Sequence, residues 1–158
     1  MVATDPLHHV NPALKPLQIL VGQWETELSN ASFLARPTDT VIGQVSFDWV
    51  LDRSFLLLRM GDKPPSPPSA LWLIGRDDSS GDFTVLYYDA RTVSRVYHMT
   101  FSEGVWRMNR EAPGFWQRFE AVFSSNGNTI TGRWDKSTDG LRWEHDFDVK
   151  YSRRTETA

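Results

Sequence analysis

The sequence predicts an all-β protein: a single antiparallel up-and-down β-barrel of about ten strands, with a short N-terminal helical segment capping one end. Three observations carry this reading. Beyond residue 21, large apolar residues alternate with polar ones, the period of a strand with one buried and one wet face. The alternation is interrupted at short intervals by turn chemistry: "LDRS", "DDSSGD", "SEG", "EAPG", "SNGN" and "STDG". Only one stretch has helical character. That many hairpin-linked strands would splay as an open sheet, so closure is expected, and a barrel of this size can hold one small ligand.

The elements follow in order. Residues 1–10 read as a mobile tail. In "NPALKPLQILV", Asn11 can cap, Pro12 suits a first helical position, and Leu14, Leu17 and Leu20 share one side. Pro16 restricts this piece to a short helix or a pair of turns. Strands are expected over 22–28, 40–50, 54–60, 69–76, 82–89, 93–101, 104–110, 116–124, 128–136 and 141–152. "NASFLARPTD" leaves the first strand as an irregular connection. "GDKPPSPPSA" is stiff and extended, a spacer between strands or a lid over a barrel mouth.

At 158 residues the chain has the length of one domain and needs no staples to enclose a core. It contains no cysteine, so disulfides and thiolate metal sites are excluded. The 17 basic and 20 acidic residues leave a net charge of −3, with no basic run suited to nucleic acid. "MVATDPLHHVNP" lacks the basic and apolar regions of a signal peptide, and "FLLL" and "ALWLIG" are too short to cross a bilayer. The expectation is a soluble, cytoplasmic monomer or homodimer without nucleic-acid or membrane partners. Seven tryptophans mark either a heavy core or a lined cavity.

Parity along the middle strands places Arg95, Tyr97, Met99 and Phe101 inside, followed by Trp106, Met108 and Arg110. Gln117, Phe119 and Ala121 follow, then Ile130, Gly132 and Trp134. In "LRWEHDFDVKYSRR" it places Leu141, Trp143, His145, Phe147, Val149 and Tyr151 inside, with Glu144 and Asp146 facing out. The lumen is therefore aromatic yet contains arginines that no inward carboxylate on these middle strands neutralises. Buried arginine is rare unless paired or hydrated. Arg95 and Tyr97 project from one face and offer a guanidinium fork and a phenol donor to a single anionic group. His145 is expected as a neutral, inward-facing imidazole bonded to a lumen group or water.

"LVGQWETE" near the N-terminus, the run of antiparallel strands and the closing "YSRR" resemble the calycin superfamily. That resemblance implies a Gly-x-Trp, here Gly22 and Trp24, packed against a basic residue of the last strand, Arg153 or Arg154, closing one barrel end. "SRVYHMTF", "APGFWQRF" and "GRWDKSTDGLRWEHDF" are similar to a bacterial lipocalin-like domain-of-unknown-function group, over roughly residues 14–153. It implies a fold and no established activity. "RVY" is similar to the Arg-x-Tyr pair by which fatty-acid-binding proteins hold a carboxylate, though it lies mid-chain here.

Three functions remain open. The first is a barrel binding a small hydrophobic or aromatic molecule with an acidic head group, no cofactor being required. Its ligand-binding residues would be Arg95, Tyr97, Trp106, Arg110, Gln117, Trp134, Trp143 and His145. The second is haem binding as in nitrobindins, with His145 as axial ligand; against it, "GQWETEL" lacks their glycine-rich continuation. The third is a pocket isomerase, cyclase or hydrolase using His145 as base and Tyr97 or Arg95 at an oxyanion. The histidines form no metal set by spacing, and His98 is expected outside. A helix-grip pocket is rejected because the chain closes on a strand.

Overall fold

In the computed structural model, residues 11–62 and 66–155 are described; the tail expected over 1–10 lies outside them. Ten strands follow one 3₁₀ segment, Pro12–Leu20. They are β1 (Gly22–Ser29), β2 (Val41–Val50), β3 (Phe55–Met60), β4 (Ala70–Arg76) and β5 (Phe83–Asp89), then β6 (Ser94–Ser102), β7 (Val105–Arg110), β8 (Trp116–Phe123), β9 (Thr129–Ser137) and β10 (Glu144–Arg153). Each pairs antiparallel with its neighbours in sequence, and β1 pairs β10, closing the barrel. Closure leaves no unpaired sheet edge.

The 3₁₀ segment explains the three-residue spacing of its leucines. At three residues per turn, Leu14, Leu17 and Leu20 eclipse one another, and all three are buried. Asn11 accepts from the Ala13 amide at 3.0 Å, and Pro12 and Pro16 remove amides that would need partners. The segment lies at the β1-start, β10-end pole. There Trp24 Nε1 donates to the Leu20 carbonyl at 2.8 Å, and the Arg153 guanidinium lies 4.1 Å from the centroid of the Trp24 ring. Arg153 also donates to the carbonyls of Val21 and Ile19. Arg154 instead donates to Gln44, so the basic partner of the indole is Arg153.

The middle of the barrel is packed solid. Trp106 is fully buried, with Phe47, Trp72, Phe119 and Tyr151 around it at ring separations of 5.0–6.4 Å. Gly132 makes room for this packing: a Cβ there would lie 2.6 Å from the Phe119 ring. At the opposite pole the 30–40 connection, the proline-rich 61–69 connection and the β5–β6, β7–β8 and β9–β10 turns meet. Residues 63–65 of the proline-rich stretch lie outside the described residues.

The last strand differs from its expected form in two ways. It begins at Glu144, because Leu141–Trp143 belong to a turn in which Asp139 Oδ1 accepts from the amides of Leu141 and Arg142, each at 2.8 Å. Its register on β9 then slips by one residue: His145 faces Asp135, whereas Phe147 faces Trp134. Asp146 is the extra residue of this β-bulge, and everything before it changes side.

Candidate functional site

The pole opposite the 3₁₀ segment gathers one end of each of β5 to β10. On β6, parity places Arg95 and Tyr97 on the inner wall as expected, and Tyr97 is buried. Facing them across the barrel mouth, Gln117 of β8 is 5 % exposed. Its Oε1 accepts from the Tyr97 hydroxyl at 2.5 Å and from Arg95 Nη1 at 3.3 Å. The Arg95 guanidinium also lies over Phe115 at 4.8 Å and Tyr87 at 5.8 Å. Two of the expected site residues thus converge on the side-chain oxygen of a third.

Arg110 stands beside Gln117 in register and donates to the Phe115 carbonyl at 3.2 Å, so part of its capacity goes to its own turn. Burial raises the Tyr97 hydroxyl above its ordinary value against the opposing pull of Arg95 and Arg110, and it remains a neutral donor. The Tyr87 phenol is pushed up to about 12 by burial and by its hydrogen bond to Asp89.

Rings continue the wall from this cluster to the rim. Tyr97 touches Trp134 at 5.7 Å, Trp134 stacks on Phe147 at 6.0 Å, and Phe147 meets the edge of Phe33 at 5.7 Å. Phe33, from the 30–40 connection, is 59 % exposed. Trp106 lies below this wall in the packed centre. Its indole N–H and that of Trp72 are buried with no hydrogen-bond partner. A buried orphan donor costs about 1–3 kcal/mol, a penalty that any acceptor reaching it would remove.

Carboxylates are also present at the mouth, on β5 and β10 and not on the middle strands, and of the two Asp146 was expected to face out. Asp89, two residues beyond Tyr87 on β5, is held by Arg91 at 2.7 Å. The hydrogen bond from Arg91 dominates and, with one from Tyr87, keeps the Asp89 carboxyl well below its usual range. Asp146, turned by the bulge into a buried position, pairs with Lys136 at 3.3 Å and accepts from the Ser32 hydroxyl at 3.2 Å. Both anions are thus matched locally. Among the described residues, Arg95 and Arg110 make no ion pair with a carboxylate.

Two expected lumen residues stand elsewhere. Trp143 is on the outer wall, under the Arg118 guanidinium at 4.3 Å. His145 is outside as well, sharing Asp135's side, and its Nε2 lies 2.9 Å from Asp148 Oδ1. Burial would raise the Asp148 carboxyl, but hydrogen bonds from Asn30 and His145 outweigh it and hold the group below its ordinary value. The bulge at Asp146 turns His145 outward, and Trp143 lies in the turn before the strand begins. Sequence parity turned Asp146 outward and passed over Phe33, Tyr87, Phe115 and Lys136. Alternation could have marked Tyr87 on β5 and Lys136 on β9, whereas Phe33 and Phe115 lie in connections.

A groove of about 540 Å³ opens outside the barrel, between outward side chains of β6 to β9. Its arginines are already paired: Arg107 with Glu120, and Arg118 and Arg133 with Asp135. It is a solvated, charge-balanced wall, whereas the unpaired cations stand at the barrel mouth.

His145 does not fit an axial haem ligand in the lumen, because its ring lies outside the wall and is occupied by Asp148. Nor is it placed beside Tyr97, whose hydroxyl points to Gln117 inside. No family model matches the chain, and no curated protein matches it. The crystal structure of Rv2717c from M. tuberculosis is similar, with a TM-score of 0.60 at 14 % identity, covering 92 % of this chain and 99 % of that one. The likeness is one of fold.

Proposed function

We propose that the protein binds a small hydrophobic or aromatic organic acid at the pole of its calycin-like barrel opposite the 3₁₀ segment. The carrying observation is the convergence of Arg95 Nη1 and Tyr97 OH on the neutral Gln117 Oε1, with no carboxylate among the described residues paired to Arg95. A neutral amide oxygen is a weak match for a guanidinium. An incoming carboxylate would replace it with charge-assisted bonds to the same two donors, with Arg110 adjacent. The apolar part of the ligand would lie along Trp134, Phe147 and Phe33, whose rings lead from the head-group position to the rim.

Intrinsic fluorescence provides the assay, because Trp134 sits against Tyr97. Medium-chain and aromatic carboxylates are expected to shift the emission at lower concentration than matched alcohols. Arg95→Ala should lose about 1.5–3 kcal/mol of binding, roughly tenfold to a hundredfold in affinity. Gln117→Glu supplies a permanent internal anion and should weaken acid binding while leaving alcohols unaffected. Equal affinity of the parent and Arg95→Ala for acids would overturn the assignment.

A further inference from the structure

Cations surround Gln117 on the inner wall. Arg110 and Lys136 stand on either side of it in register, on β7 and β9, and Arg95 reaches it from β6. Each shares the inner parity of its strand with a buried residue: Met108, Trp134 and Tyr97 respectively. Lys136 is matched, its ammonium lying 3.3 Å from Asp146 Oδ1 and donating to Ser32 Oγ at 2.7 Å. Asp89 is held by Arg91 and by the Tyr87 hydroxyl. Glu111, Asp139 and Glu144 are exposed at this pole, and among the described residues no carboxylate pairs with Arg95 or Arg110. With Lys136 and Arg91 cancelling Asp146 and Asp89, Arg95 and Arg110 leave two positive charges at the site.

Those two cations meet at one residue. The Arg95 guanidinium lies 4.8 Å from the centroid of the Phe115 ring, and Arg110 Nη1 donates to the Phe115 carbonyl at 3.2 Å. Both also act on the Tyr97 hydroxyl, against the burial that raises it. Two guanidiniums gathered in this way repel each other, and the groups between them, a ring, a carbonyl and the Gln117 amide, carry no charge to offset that. A monoanion would cancel half of the excess. A dianion would cancel all of it.

The donors call for the same head group. Arg95 Nη1 and the Tyr97 hydroxyl converge on Gln117 Oε1, and Arg110 stands directly across from Gln117 with N–H groups beyond the one given to Phe115. A carboxylate offers its two oxygens to these three side chains, whereas a phosphate monoester offers one strong acceptor to each and suits the guanidinium fork. The inference rests on the acid-binding reading given above. We propose that the head group is a dianion, a phosphate monoester on an apolar tail, held between Arg95 and Arg110 with Tyr97 as the third donor.

Octyl phosphate and octyl methyl phosphate share a tail and a tetrahedral head. At about pH 8 they differ by one charge, because a phosphate monoester has its second pKa near 6 or so. Titrated into the parent protein and followed by tryptophan emission, octyl phosphate should bind at least about tenfold more tightly than the diester. Arg110→Gln, with the far-ultraviolet spectrum of the parent, should bring that ratio to within roughly threefold, and Arg110→Lys, which keeps the charge, should hold it higher. Octanoate serves as the reference for acid binding. If octanoate binds through Arg95 and the two phosphates bind equally, the dianion assignment falls while the acid site stands. If neither octanoate nor either phosphate binds, both fall. A preference that persists in folded Arg110→Gln would also overturn the proposal, and should that variant not fold, the ratio in the parent decides.

Discussion

Arg153 closes the pole opposite the proposed site, and its removal tests how that closure is held. Its guanidinium donates to the Val21 carbonyl at 2.8 Å, to Ile19 at 2.6 Å and, less closely, to Gly127 at 3.4 Å, while covering the fully buried Trp24 ring at 4.1 Å. Burial lowers the arginine below its ordinary value, as desolvation of a cation requires. Two short charged hydrogen bonds and a cation–π contact would together exceed 3 kcal/mol if fully buried. Arg153 is only partly buried, and water can re-satisfy the carbonyls in Arg153→Ala, so a loss of about 3 kcal/mol is expected. For a chain of this length that lowers the thermal midpoint by roughly 6–12 °C.

Arg153→Lys keeps the charge but not the planar fork, so it should recover less than half of the loss. Urea unfolding followed by fluorescence measures both, and an unchanged denaturant slope would confirm that the native and unfolded ensembles are otherwise the same. A loss below about 1 kcal/mol in Arg153→Ala, or a lysine variant as stable as the parent, would refute the reasoning.

Gly132→Ala introduces a Cβ 2.6 Å and 2.9 Å from two Phe119 ring atoms and 3.1 Å from the Ala121 Cβ. That ring is packed against Trp106 and Trp134, so overpacking should cost about 1–3 kcal/mol, read from the thermal transition; a change within 0.5 kcal/mol or so would show that the ring can yield. His98 lies where parity predicted, on the outer wall, bonded to Asp82 at 2.7 Å and Asn109 at 3.1 Å. The Asp82 hydrogen bond, against a smaller opposing effect of burial, raises its pKa above the ordinary 6.5. A raised folded value means that the stabilisation is full below 6.5 and fades as pH rises through the folded pKa. The stability gap between the parent and His98→Gln should therefore close at alkaline pH, and a gap constant from acid to alkali would contradict this.

The bounds of β1 to β9 were legible to within a residue or so because a two-faced wall dictates alternation, and turn residues punctuate it. The Arg95, Tyr97 and Gln117 wall was legible for the same reason. β10 was not, although its alternation is among the most regular in the chain. A period-two pattern fixes a face only relative to an unbroken register, and one extra residue reverses all that precedes it. What holds the extra residue is Asp146, bonded to Lys136 and to Ser32, more than a hundred residues away. No local spacing discloses a partner at that separation.

The error had an instructive limit. The bulge removed His145 from the lumen and brought a carboxylate in, and the turn before the strand removed Trp143. Yet Asp146 is consumed by Lys136, much as Asp89 is by Arg91, so the anions at the mouth arrive with their own cations. The unpaired charge inferred from sequence rested on Arg95 and Arg110, on strands whose parity has no bulge, and it survives the correction. Arg95 and Arg110 stand on strands of unbroken register, whereas the expected place of His145 lay on β10, whose register slips.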